Sequence, residues 1–409
     1  MNLKNFLIFL CLFHNLNAFI PAKVIEFLIE KADHSLKEQF GEISRTYTHE
    51  EIIREGVIRS TVKFFSEQKH LTHLKLNLNR IEKYFNLNKL YGEIYNKSFC
   101  RTDLEDIIVK DLQPSVASVD FDEDTKDMPY AHFDANTFLE SNRRVINMTQ
   151  RVIKNIEKKK YERARELSGK VLHTIHDFYS HSNWIEMGNY NKINSAIGTE
   201  QFNKFKFSSK SDNLTCIANC TIKQINCNKI ISTMIMLIKN LRNSSISCPI
   251  KYYTCEGNII YNDRLTSGYY VDQKLPDGSE IRKPDKSFMC SHGGVLDSDS
   301  FKPAEGGINK DSGYYLFSPH ANLHLIAAKL AINHTEYFFN QIRAKVGDEE
   351  FSKFLRLRLH HSFINKLNNI IEICSGYSAR YNSCTQFKQI NTISLVFSII
   401  FSFFFLEKF

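Results

Sequence analysis

Proline is scarce, eight in 409 residues, and stretches of strict apolar–polar alternation are few, which excludes a sandwich or barrel assembled from many short strands. No internal repeat is present, excluding a solenoid, and no long low-complexity linker marks a seam between two domains. The acidic stretch Asp120–Asp134 lacks the glycine and terminal glutamate of an EF-hand loop. The cysteine spacings Cys216-x3-Cys220 and Cys248-x6-Cys255 do not match a zinc ribbon. A net charge of +8 is mild for this length, and Lys158-Lys159-Lys160 sits among glutamates, as a solvated face does, so a nucleic-acid partner is disfavoured.

What is present is helical periodicity. Apolar residues recur at three and four, predicting helices near 22–39, 49–67, 71–91, 135–158, 161–182, 222–242, 319–346 and 349–373. Two starts are marked: Thr48-His-Glu-Glu51 is a capping-box pattern, and Ser318-Pro319 reads as an N-cap followed by proline. Both place a histidine, His49 or His320, in a first helical turn. Between 245 and 317 glycine, proline and cysteine accumulate, predicting an irregular disulfide-stapled insertion. The fold class is all-α, a multi-helix bundle formed by one domain over 19–375, with that insertion inside it.

The ends have their own character. Residues 1–18 carry Lys4, an apolar centre Phe6–Phe13 and a polar stretch to Ala18, the layout of a secretory signal peptide, so that Phe19 becomes the mature N-terminus. After a polar spacer over 376–392 comes the hydrophobic tail 393–409. Its 14-residue run Ile393–Leu406 spans about 21 Å as a helix, short of the roughly 30 Å hydrocarbon core. A GPI-anchor signal or a short C-terminal anchor fits, placing the protein outside the cell, secreted or held at the membrane surface. With Cys11 and Cys384 set aside, eight cysteines remain for up to four disulfides, whose pairing the spacing leaves open. Six glycosylation sequons, at Asn96, Asn147, Asn213, Asn219, Asn243 and Asn333, agree with export.

One motif is chemically specific. In Leu172-His-Thr-Ile-His-Asp-Phe-Tyr-Ser-His-Ser-Asn-Trp184, residues His173, Asp177 and His181 recur every four positions and share an arc about 80° wide on a helix. Imidazole and carboxylate in this number suit zinc, and more than one ion. A polar stripe facing solvent would need no metal, but the spacing recurs in His320-x3-His324. His176 lies about 100° round the helix from Asp177 and is left out. His334, about 40° from His320, is an alternative that the adjacent sequon Asn333 argues against.

The strings Thr48-His-Glu-Glu-Ile-Ile53, Ala131-His-Phe-Asp134, Leu172–Trp184, Gly306-Gly-Ile-Asn-Lys-Asp311 and Ser318-Pro-His-Ala-Asn-Leu-His324 resemble the Het-C (heterokaryon-incompatibility) family and the N-terminal region of animal von Willebrand factor A domain-containing proteins. The likeness covers most of residues 19–360, and no von Willebrand A domain is among them. Het-C proteins are distantly similar to zinc-dependent phospholipase C and the fungal single-strand nucleases, helical enzymes with a trinuclear zinc cluster. That resemblance implies two or three zinc ions held by Phe19 through its amino group, His49, His132, His173, Asp177, His181, His320 and His324. Asp120 is matched to the loop aspartate of those enzymes. His324 stands where they have a carboxylate, three residues separate Asp177 from His181 where they have five, and Phe19 lies farther from His49 than its counterpart does.

Zinc lowers the pKa of bound water from about 15.7 toward about 7, which supports phosphodiester hydrolysis, with Asp177 bridging ions and Asp120 orienting or deprotonating the attacking water. The expected activity is phospholipase C-like, on a phospholipid or another phosphodiester, with the tail meeting the membrane surface. The competing expectation is a non-catalytic cell-surface recognition or adhesion protein with a protein partner, since Het-C proteins are associated with non-self recognition.

Overall fold

A computed structural model describes residues 34–68, 76, 78–95, 102–227, 247–260, 263–275 and 277–357. Phe19, the leader, Cys100, Cys374, the spacer and the tail lie outside the described residues.

The helical body begins with α1, His34–Gln39, the described part of the expected helix 22–39. Helix α2, His49–Ser66, starts where the capping pattern places it, with Glu51 Oε2 accepting from the Thr48 N–H at 3.1 Å. It buries Ile52, Ile53, Val57, Ile58, Val62 and Phe65. The expected helix 71–91 is divided over its described part: a 3₁₀ segment, Leu78–Tyr84, precedes α3, Leu87–Tyr95. Asn86 starts the second piece by accepting from the Lys89 N–H at 3.1 Å.

Residues 103–120, which carry no strong apolar period, are helical as well. Thr102 caps α4, Asp103–Ile107, through the Glu105 N–H; a π turn follows at Ile108–Leu112, then α5, Gln113–Ala117, and a 3₁₀ turn ending at Asp120. Pro114 has no N–H to return to the preceding turn, and the wider π turn sits immediately before it.

Helices α6, Phe138–Glu157, and α7, Tyr161–His181, pack together through the exposed turn Lys158–Lys160, in which Lys159 has φ 59°. The lysine run is solvated, as its composition implies. Helix α7 packs against α5, α6 and α8, and every residue from Val171 to Ser182 is buried. An all-round buried helix is ordinarily all-apolar, so histidine and aspartate on this one must be matched by nearby polar groups.

Helix α8, His324–Phe354, breaks at Gly347, φ 80° and ψ 164°, between the two helices the periodicity separates. Its start corrects the Ser318-Pro319 reading. The Ser318 hydroxyl donates to Asn309 Oδ1 at 2.6 Å and accepts from the Ser312 N–H at 2.9 Å, so it caps nothing. The helix opens only at His324, after a 3₁₀ turn, Ala321–Leu323, and His320 precedes it.

The expected helix 222–242 is a second correction. Its beginning belongs to β1, Cys220–Ile225, antiparallel to β2, Ile250–Cys255, with Cys220 opposite Cys255; residues 228–246 are outside the described set. The β-branched run Thr221-Ile222 and the Cys220–Cys255 disulfide override the helical period. Two further disulfides, Cys216–Cys290 and Cys227–Cys248, make three among the described residues, a usage typical of oxidising compartments. The stapled excursion therefore starts well before 245. It is laid over the C-terminal end of α7: the Gly268 N–H donates to the His181 carbonyl at 3.3 Å and the Lys310 N–H to the Ser180 carbonyl at 3.1 Å. Among the described residues no helix is long and apolar enough to cross a membrane.

Candidate metal centre

Small residues and one strained turn bring the donors together. Gly169 lies one turn before His173, and a Cβ there would sit 2.0 Å from Ser115 Oγ and 2.8 Å from the Val116 nitrogen. The absent side chain lets α5 approach until the Val116 carbonyl accepts from His173 Nδ1 at 2.8 Å. The same segment ends in Asp120. Phe133 has φ 57°, an uncommon conformation for a bulky residue, and packs its ring 5.2 Å from that of Phe178. With Phe133 held in the core, its neighbours His132 and Asp134 reach the donor cluster.

Five predicted residues meet there. Asp177 Oδ2 lies 2.9 Å from both His132 Nδ1 and His173 Nε2, and Asp177 Oδ1 lies 3.2 Å from His49 Nε2. Asp120 Oδ1 is 3.5 Å from His173 Nε2 and 3.8 Å from His132 Nδ1. The sets His49, Asp120, His173 and His132, His173, Asp177 each bring three donor atoms within 4.8 Å of one another.

The outer hydrogen bonds decide which way the rings face. A carbonyl only accepts, so His173 Nδ1 carries the hydrogen it gives Val116, and His132 Nε2 carries the one it gives the Thr125 carbonyl at 3.2 Å. In the neutral rings, His173 Nε2 and His132 Nδ1 are then bare lone pairs, 3.1 Å apart and directed at a carboxylate. Buried Asp177 Oδ1 and Asp120 Oδ2 accept no hydrogen bond at all. Lone pairs facing lone pairs in a dry site repel unless a cation or extra protons lie between them, so this donor set could hold a metal ion.

A second convergence adjoins the first. His181 Nδ1 lies 3.0 Å from the His132 carbonyl and 3.1 Å from Asp134 Oδ1, while His181 Nε2 is 3.0 Å from Asp311 Oδ1 and 3.2 Å from His292 Nε2. His292 Nε2 is 3.2 Å from Asp311 Oδ2, and its Nδ1 donates to the Gly293 carbonyl at 3.1 Å. Asp134, His181 and His292 form a third group of donors within 4.8 Å, and buried Asp134 Oδ1 accepts no hydrogen bond.

His320 and His324 are buried and belong to none of these three groups, although His324 lines the same recess as His49, Asp177 and Asp311. His324 Nε2 accepts from the Tyr47 N–H at 2.8 Å and its Nδ1 donates to the Lys310 carbonyl at 2.6 Å, which uses both nitrogens. His320 donates to Asn258 Oδ1 at 2.8 Å beside the buried pair Lys310–Glu186. His334 accepts from the Tyr179 hydroxyl at 2.7 Å, away from the cluster. Three neighbours were not assigned from sequence. Asp134 and Asp311 stand inside quoted motifs, where adjacency to His132 and to the Gly-Gly-Ile-Asn run was the available signal. His292 has no periodic signal.

Charge follows geometry. Burial opposes charging of His49, His132 and His181, yet Asp177 raises the first two and Asp311 with Asp134 raises the third well above the ordinary histidine range. Burial holds His173 and His176 low. Asp177 stays well below the carboxylate range despite burial, because His173, His181 and His49 surround it. A cation entering the cluster therefore competes with ring protons.

The profile of the VWA7 N-terminal domain matches residues 87–244 and 236–352. The chain belongs to this family. Von Willebrand factor A domain-containing protein 7 of Mus musculus is 29% identical over 311 residues, 75% of this chain and 30% of the relative. The Homo sapiens protein of the same name is 28% identical over 310 residues, with the same shares. The chain thus spans 30% of the length of these relatives. No solved structure matches it. The VWA7 N-terminal domain match contains every donor from Asp120 to Asp311, whereas His49 precedes it.

Proposed function

We propose that the protein is a secreted or surface-held zinc-dependent phosphodiester hydrolase, phospholipase C-like, in keeping with the likeness of its motifs to Het-C proteins and, more distantly, to zinc-dependent phospholipase C and single-strand nucleases. One observation carries the reading. Nitrogen and oxygen donors from α2, the 120–134 turns, α7 and the 292–311 excursion converge with lone pairs facing inward and carboxylate oxygens accepting no hydrogen bond.

Bound zinc supplies Lewis acidity and a hydroxide nucleophile at neutral pH. His49, Asp120, His132, His173 and Asp177 would hold the first ions, and His181, His292, Asp134 and Asp311 a further one. Asp177 presents its two oxygens to different histidines, which suits a bridging role. Asp120, whose Oδ2 accepts no hydrogen bond, would orient the attacking water or take up its proton. A small recess at the cluster is lined by His49, Asp177 and Asp311 together with Ile52, Ala327, Ala328 and Ala331.

Burial favours a second reading, a recognition or adhesion protein in which metal is a structural staple: His173 is 0% and Asp177 1% exposed. Elemental analysis of the purified protein, paired with assays on phospholipids, nucleic acids and nucleotides, separates the two. Two or three zinc ions with phospholipid headgroup release, both lost in Asp177→Asn, support the hydrolase. Absence of any stoichiometric transition metal ends it, and a metal-replete but inert protein favours the staple.

A further inference from the structure

His176 is set aside by the helical-arc argument because it points away from Asp177. It nevertheless touches the cluster through His49. The two Nδ1 atoms lie 3.1 Å apart, with the rings stacked at 5.3 Å and inclined by 13°. Two bare nitrogens, or two N–H groups, at that distance would repel, so one ring donates and the other accepts.

Thr335 decides which. Its hydroxyl lies 2.9 Å from the Ala331 carbonyl, which only accepts, so the single hydroxyl hydrogen is committed there. His176 Nε2, 2.8 Å from Thr335 Oγ1, must then donate to it. A neutral His176 with its hydrogen on Nε2 has a bare Nδ1, which accepts from His49 Nδ1. A neutral His49 in that tautomer turns its Nε2 lone pair toward Asp177 Oδ1, 3.2 Å away. Every member is buried: Thr335 0%, His176 2% and His49 4% exposed, leaving water no part in the relay.

Gly56 lets the relay close. A Cβ at that position would sit 2.4 Å from both Cβ and Cγ2 of Thr335, so α2 and α8 cross too tightly there for any side chain. The tight crossing brings Thr335 within reach of α7.

We infer that Thr335 and His176 are positioning residues that fix the tautomer of His49, so that Nε2 is the atom offered to a metal ion, His176 itself not being a ligand. This rests on the zinc reading for its purpose, but the hydrogen positions exist without metal. Long-range ¹⁵N–¹H NMR of histidine-labelled, metal-free protein at pH 8 should show His176 protonated on Nε2 alone, assigned by comparison with His176→Gln. Finding the hydrogen on Nδ1 overturns the relay. In zinc-competition titrations, Thr335→Val should weaken one ion by about 10–100-fold while the others hold, and Thr335→Ser should restore it. Unchanged affinity for every ion in Thr335→Val also overturns the inference. A wild-type chain that binds no zinc yet shows His176 protonated on Nε2 sinks the hydrolase reading and leaves the tautomer assignment standing.

Discussion

His132 Nδ1 and His173 Nε2 stand 3.1 Å apart and each lies 2.9 Å from Asp177 Oδ2, because each ring gives the N–H of its other nitrogen to a backbone carbonyl behind it. In the neutral rings two lone pairs and a carboxylate face one another, a gap filled either by a metal ion or by a proton on His132 that Asp177 holds. His324 shows the contrast, with both nitrogens satisfied by backbone groups.

Ion counts should sort the two ligand sets. His292→Gln and Asp311→Asn are each expected to lower the zinc content by one ion, since both side chains converge on His181 Nε2. His324→Gln should retain every ion, its partners being the Tyr47 and Lys310 backbone. Elemental analysis after dialysis against a weak chelator reads this directly. Loss of an ion in His324→Gln with full retention in His292→Gln would reinstate the sequence-derived pair.

What sets that pair apart from the three donor groups is a physical matter. The α7 motif was legible because three donors recur on the period of one continuous helix, and the structure keeps that helix unbroken through His181. His320-x3-His324 has the same spacing but straddles a helix start, since Ser318 is consumed by Asn309 and Ser312 and cannot cap. His292 and Asp311 come from irregular backbone fixed by disulfides, where no period exists to read. The same disulfides turned the beginning of an expected helix into β1. No helix is expected over 103–120, where the apolar period is weak, yet a π turn accommodates Pro114 and the chain stays helical to Asp120.

Gly169→Ala tests how tightly α5 and α7 must pack. The added methyl meets the Val116 backbone nitrogen at 2.8 Å, so α5 has to shift rather than a side chain turn aside. The expected cost is about 1–3 kcal/mol, read as a lower denaturant midpoint at unchanged m-value. Displacing the Val116 carbonyl also frees His173 Nδ1, so zinc affinity should drop with stability. A variant as stable as wild type would show that the close approach is not required.

His334 gives a pH dependence of definite sign. Burial pulls its pKa from 6.5 down to about 3, so the folded protein keeps it neutral while the unfolded chain takes up a proton below about 6.5. Its contribution to stability is complete above 6.5 and is lost progressively as pH falls toward 3. One proton corresponds to about 1.4 kcal/mol per pH unit, or about 2 kcal/mol between pH 6.5 and pH 5. His334→Phe should lower stability at neutral pH, because the Tyr179 hydroxyl loses its acceptor, and should flatten the pH slope by that amount. Denaturant unfolding of both proteins from pH 7 to pH 4 measures it, and parallel slopes would refute the assignment.

Glycan occupancy should divide the described sequons by what holds each asparagine. Asn147 is exposed on α6, and Asn213 and Asn219 are exposed in the stapled excursion. Asn333 is half-buried on α8, and its Oδ1 accepts from Arg59 at 3.4 Å, an arm reaching across from α2. A completed glycan at Asn333 would have to displace Arg59 from its contact with both α8 and Glu55, whereas the exposed asparagines have no such arm across them. Mass spectrometry of the exported protein after enzymatic deglycosylation in heavy water should therefore mark Asn147, Asn213 and Asn219 and leave Asn333 unlabelled. Full occupancy at Asn333 would mean that the α2–α8 crossing closes only after modification. The Gly56–Thr335 approach would then form late, since it lies on the same pair of helices.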